Sequence, residues 1–187
     1  MKRLTILAAA VMLTAGCAAP AAAPATKEAP AEATVAPTPV VMGPGEYTFE
    51  NATGAKGALS IPGKADAEIE KLRVLGKGPA VTYLSVHVDN RQGTVGVNMY
   101  GISIFDPAGQ EYKYTNADAY IDAIRPSDAT AEVYNQFIEA GNKHMAMAKP
   151  KAVKDFVLTG PALPKTFTAV TVYPTGMSDP VDALPAP

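Results

Sequence analysis

Polar and apolar residues alternate most clearly over residues 81–114, and three consecutive strands are expected there. In Val81-Thr82-Tyr83-Leu84-Ser85-Val86-His87-Val88, Leu84, Val86 and Val88 share one face and Tyr83, Ser85 and His87 the other. An apolar face opposite a mixed one at period two marks a half-buried strand. Asp89-Asn90-Arg91-Gln92-Gly93 supplies residues that tolerate left-handed backbone, as a turn needs. A second run, 97–105, sets Tyr100, Ile102 and Ile104 on one face. Asp106-Pro107-Ala108-Gly109 then has Asp first, Pro second and Gly fourth, the preferences of a type I turn. Residues 111–114 return as the third strand. The pattern predicts an antiparallel meander and a mainly β domain.

Weaker signals flank this centre. Residues 46–49 and 58–61 predict short strands separated by the two glycines of 51–57. In 68–75, Ile69, Leu72 and Leu75 suit one helical face, but the turn Gly76-Lys77-Gly78-Pro79 leading into Val81 favours a strand. Residues 118–140 break the β pattern. Within them 128–140 predicts one short helix, capped by Ser127 or Asp128, stopped by Gly141 and carrying the stripe Val133, Phe137 and Ala140. Residues 151–158 and 166–173 close the domain as strands, with Val170 and Val172 inward. Seven or so strands at this spacing, with one cross-over helix, suit a two-sheet sandwich.

The chain's start has a different character. Lys2 and Arg3 precede an apolar core of about ten residues, too short to span ~30 Å of hydrocarbon as a helix. Leu13-Thr14-Ala15-Gly16-Cys17 resembles the lipobox of bacterial lipoproteins, with Thr14 where leucine is commonest. The resemblance implies a signal peptide over residues 1–16 and a lipid on Cys17. The alternative is an ordinary secretory signal cut near Ala19 or Ala23, which would remove Cys17. That cysteine is the sole one in the chain, so no intrachain disulfide can form. Residues 17–42, rich in Ala, Pro, Thr and Glu, cannot bury enough surface to offset chain entropy and are expected to be a disordered stalk. In extended polyproline II such a stalk holds the domain up to about 70 Å from the membrane. Residues 179–187 read as a flexible tail, leaving 43–178 as the folded domain.

Charge narrows the partners. The 16 Lys and Arg become 14 once Lys2 and Arg3 are cleaved, against 18 Asp and Glu, a net charge near −4. Nucleic-acid binding needs a dense positive face and is not expected. Without a polybasic run, attachment to the membrane would rest on the lipid alone.

Val86-His87-Val88-Asp89-Asn90, followed by Val97-Asn98-Met99-Tyr100-Gly101-Ile102-Ser103-Ile104-Phe105-Asp106-Pro107-Ala108-Gly109-Gln110-Glu111-Tyr112, resembles the telokin-like, immunoglobulin-type domain of many Gram-positive lipoproteins. The shared pattern is a strand ending in Asn, a gap, then a strand running into Asp-x-x-Gly-x-x-Tyr. It covers about a third of the chain and consists of turn and core residues. The resemblance implies an immunoglobulin-like antiparallel β-sandwich with one short helix and carries over no catalytic residues.

Candidate chemistry centres on Lys143-His144-Met145-Ala146-Met147. His beside Met offers soft ligands of the kind that hold Cu(I). Cupredoxin-like periplasmic copper chaperones use His-x-Met pairs, and this run has the ingredients without the spacing. His144 and Met147, completed by His87 and Met99, are the candidate metal set. The plainer expectation turns Met145 and Met147 inward and His144 to solvent, alternating into a strand. Asp118, Asp122 and Asp128 lack the spacing of a calcium loop and read as a solvated face and cap. Tyr112 and Tyr114, with Tyr100 across from them, read as a packed sheet face before a binding platform. Glu68 and Glu70 are a carboxylate pair of the kind ordinary on an exposed strand. With two histidines and neither Gly-x-Ser-x-Gly nor His-Glu-x-x-His, no enzyme and no cofactor is expected. The sequence therefore predicts a lipid-anchored protein on the extracytoplasmic face of the cell membrane. Its role would be non-catalytic binding or structure, with an envelope protein or glycan as partner, and the alternative is copper binding.

Overall fold

The computed structural model describes residues 40–174 and 179–187. Cys17, the expected signal peptide and nearly all of the expected stalk lie outside the described residues.

Five strands, β1 (Gly45–Glu50), β2 (Lys56–Ile61), β3 (Thr82–Asp89), β4 (Gly101–Phe105) and β5 (Glu111–Asn116), come first, and α1 (Ala67–Leu75) interrupts them after β2. Then come α2 (Ala117–Ala123), α3 (Ala131–Met145), β6 (Val153–Gly160), β7 (Ala169–Tyr173) and the two-residue strands β8 (Val181–Asp182) and β9 (Leu184–Pro185). The strands form one sheet in the order β8-β7-β4-β5-β6-β3-β2-β1-β9. Every pairing is antiparallel. The mainly β, antiparallel expectation holds, and the ladder runs as a single nearly closed sheet. Among the strands of five residues or more its narrowest junction is β5 with β6, joined only at Thr115↔Thr159 and Asn116↔Leu158. By contrast, β3 and β6 pair along their whole lengths.

The central strand is built as its alternation requires. Leu84, Val86 and Val88 are at most 1% exposed and face the sheet interior. There they meet Phe49, Leu59, Ile102, Ile104, Phe156 and Val172 in the main core. Tyr83, on the opposite face, enters a second core with Ile69, Leu72, Ile121, Phe137 and Ala140, contributed by the three helices. Its phenol donates to Glu70 Oε1 at 2.7 Å, so the ring is buried while its polar end is satisfied. Gly63 fits where no larger residue would: its N–H donates to Tyr83 O at 2.7 Å, and a β-carbon there would collide with the backbone nitrogen of Ser85.

Several expectations are corrected. Residues 68–75 are helix, not strand. Asp66 caps α1 by accepting from the Glu68 and Ile69 N–H groups at 2.9 and 3.1 Å. Acidic Glu68 and Glu70 sit in its first turn and Arg73 in its last, each favourable to the helix dipole. Three helices stand where one was expected. Gly141 does not stop α3, which begins at the cap Thr130 and continues to Met145. The expected three-strand meander does not form: β4 and β5 pair as a hairpin, but β3 lies between β2 and β6 and is not bonded to β4. The second strand is also shorter than 97–105, and Val97 makes only an isolated bridge with Ala148. The packed sheet face expected of Tyr112 and Tyr114 is present, with Tyr114 buried and Tyr112 half-buried, but Tyr100 departs from it and faces solvent.

The domain also outruns its expected limits of 43 and 178. Met42 bridges Phe167, and the expected tail is structured. Within one run of five residues, β8 pairs with β7 at one margin of the sheet and β9 pairs with β1 at the other. Ala183 between them is 2% exposed and donates to Val170 O at 2.8 Å. Two unpaired margins are thereby covered by a single segment, which suits a sheet that must not present open edges to neighbours.

Candidate functional site

The start of α1 meets the end of α3. Asp66 is fixed at the α1 cap by the two backbone N–H groups from which it accepts, and Glu68 lies in the first turn of the helix. On α3, Phe137, Ala140 and His144 recur at three and four residues apart on the buried face. That phase carries His144 out of solvent to 8% exposure, while Lys143 stays outside. One ligand atom each from Asp66, Glu68 and His144 lies within 4.8 Å of the other two.

Lys143 Nζ donates to Glu68 Oε2 at 2.6 Å across the two helix ends, with both side chains largely exposed. Lys154 reaches over from β6 and donates to the Lys143 carbonyl at 3.1 Å. The His144 Nε2 atom is sealed from solvent and has no hydrogen-bonding partner among the described residues. Burial pushes the His144 imidazole below its ordinary pKa. The Asp66 charge works against that, Lys143 and Lys154 reinforce it, and Glu68 again opposes it. At neutral pH the ring is therefore uncharged, with a lone pair to offer. A neutral imidazole has one acceptor nitrogen and one N–H, and its acceptor nitrogen beside two carboxylates attracts a proton or a cation.

The expected copper ligands are not arranged alike. Met99 is 0% exposed inside the main core. The Met147 side chain is half in solvent, its sulfur lying against Gly96, and Met145 is equally exposed. This inverts the plainer expectation, in which the methionines pointed inward and His144 outward. The reversal follows from helical rather than strand geometry at 143–145. His87 stands on the outer face of β3, where its Nδ1 lies 2.7 Å from Asp155 Oδ1 on β6.

Asp118 opens α2, and burial raises its carboxyl pKa; Asp122 pairs with Arg125 at 2.9 Å. Glu70 is occupied by Arg73 and Tyr83. Sequence reasoning thus found His144 and missed Asp66, whose signal was an N-cap residue ahead of Glu68 and Glu70. The clearest concavity elsewhere is an open groove of about 620 Å³ where the C-terminal segment crosses β1 and β2, lined by Thr48, Lys56, His87, Asp89, Val181 and Leu184 among others. No helix among the described residues is long and apolar enough to cross a membrane. Comparison of the chain with protein-family models, curated proteins and solved structures found no match.

Proposed function

We propose that the chain is an exported, lipid-anchored protein of the cell envelope whose β domain serves a non-catalytic binding or structural role on the extracytoplasmic face. The observation that carries this reading is Leu13-Thr14-Ala15-Gly16-Cys17 placed directly after a basic start and a short apolar run. The Ala/Pro stalk that follows supports it, since a spacer is useful to a domain that must reach something beyond the bilayer. On this reading the antiparallel sheet is an immunoglobulin-like sandwich of the telokin type, with β8, β7, β4 and β5 on one side of the short β5–β6 ladder and β6, β3, β2, β1 and β9 on the other. An envelope protein or glycan is the expected partner, and the groove beside Lys56, His87 and Asp89 offers it mixed polar and apolar contacts.

The copper alternative through His144, Met147, His87 and Met99 has less support, because Met99 is enclosed in the core and His87 is engaged by Asp155. Metabolic labelling with a palmitate analogue tests the anchor. The protein should be labelled and the Cys17→Ser variant should not be. An unlabelled, freely secreted product from the unaltered chain would refute the proposal.

A further inference from the structure

We infer that Asp66, Glu68 and His144 form a binding site for a divalent transition-metal ion of the zinc type, bridging the start of α1 and the end of α3. This goes beyond the envelope reading and does not depend on it, because the site lies wholly within the folded domain.

Three observations converge. Each of the three groups offers a potential ligand atom, a ring nitrogen or a carboxylate oxygen, and those atoms already lie within 4.8 Å of one another. A tetrahedral ion with bonds of about 2.1 Å holds neighbouring ligand atoms roughly 3.4 Å apart, so closure by an ångström or so completes the set. Glu68 is exposed and has that freedom, while Asp66 is held by the cap and His144 by its packing. Next, His144 is more than nine-tenths buried, yet its Nε2 has no partner among the described residues. A buried polar atom of this kind is costly unless something binds it. Finally, the two carboxylates come from the helix end where the dipole favours negative charge, so the acidic half of the site is stable before any ion arrives.

The donor chemistry selects the ion. One imidazole nitrogen and two carboxylate oxygens suit zinc and its neighbours; no sulfur belongs to this set, as Cu(I) would prefer. Calcium would require six to eight oxygens. Three protein ligands leave a fourth position for water. The competing cation is Lys143, whose ammonium now holds Glu68. Both partners are solvent-exposed, a setting in which an ion pair is weak, so the lysine can turn away at little cost. Lys154 adds positive charge nearby and sets a ceiling on affinity.

The test uses the full chain carrying Cys17→Ser, which removes the lone thiol, itself a zinc ligand, together with the lipid. Zinc is titrated calorimetrically while the imidazole resonances are followed by NMR. With only two histidines the assignment is direct. The expected result is one equivalent bound with Kd of about 10 µM or tighter, with the His144 signals shifted and those of His87 unmoved. Glu68→Gln and His144→Gln should each weaken binding by about tenfold or more. Asp66→Asn should do the same while keeping a competent helix cap. Should His144→Gln fail to fold, the exposed Glu68→Gln variant and the His144 resonances decide the matter. The inference is overturned by binding weaker than about 100 µM, by stoichiometric binding that none of the three variants alters, or by shifts confined to His87.

Discussion

A chain stopped before Asp179 loses the segment that lies along both margins of the sheet, and the cost follows from its contacts. Besides the ladder bonds of the β7–β8 and β1–β9 pairings, two further backbone hydrogen bonds go, from Ala183 N–H to Val170 O and from Ala186 N–H to Glu46 O, each 2.8 Å. At roughly 1 kcal/mol net apiece they account for about 2 kcal/mol. Ala183, 2% exposed, and the half-buried Val181 return apolar surface to water, adding roughly 1 kcal/mol. With the ladder bonds uncounted, the loss is at least about 3 kcal/mol, which in a domain of this size lowers the melting temperature by about 10 °C or more. Thermal unfolding of the two chains, followed by far-ultraviolet circular dichroism, measures the difference. The single substitution Ala183→Asp, which forces a carboxylate into the same buried position, should lower the midpoint at least as far. Equal midpoints within about 2 °C would refute the claim that residues 181–185 are an integral part of the sheet.

Three further outcomes are expected. Phe137→Ala removes the largest apolar side chain that α3 places in the second core and should cost about 3–5 kcal/mol in urea unfolding; a loss below about 1 kcal/mol would mean the helices are not packed as described. Tyr83→Phe deletes the 2.7 Å bond to Glu70 and, because Glu70 is partly exposed, should cost only about 1 kcal/mol with the fold unchanged; no change in the urea midpoint would show the bond to be idle. Burial pushes the Tyr114 phenol up to about 12, so its neutral form is favoured by the fold. That contribution is complete below the ordinary tyrosine value near 10 and is lost as pH rises from there toward 12. Tyr114→Phe should flatten this alkaline loss, and identical alkaline unfolding in both proteins would contradict it.

What the sequence made legible is what local periodicity encodes. Leu84, Val86 and Val88 alternate cleanly because β3 has a different environment on each side, and they were placed correctly. Val170 and Val172 followed the same rule. Helix α1 was misread because Gly76-Lys77-Gly78-Pro79 resembles a hairpin turn, whereas it terminates a helix whose cap lies upstream at Asp66. The stripe Val133, Phe137 and Ala140 was correct but ended one turn early. Gly141 costs a helix about 1 kcal/mol, which the packing of α3 outweighs, and the next position in phase is His144. The cluster itself could not be read from spacing, since Glu68 and His144 are joined only by the fold. The C-terminal pairing left no local trace either, because two-residue strands have no periodicity to detect.

The position of β3 has a consequence for how the molecule opens. It is bonded to β2 on one flank and β6 on the other, while the sheet interior covers one side of it and the helices cover Tyr83 on the other. Water can reach the amides of Leu84, Val86 and Val88 only after neighbouring elements have already separated. In deuterium exchange these amides should therefore be the last to exchange, at the rate of global unfolding, and they mark the unit whose survival defines the native state.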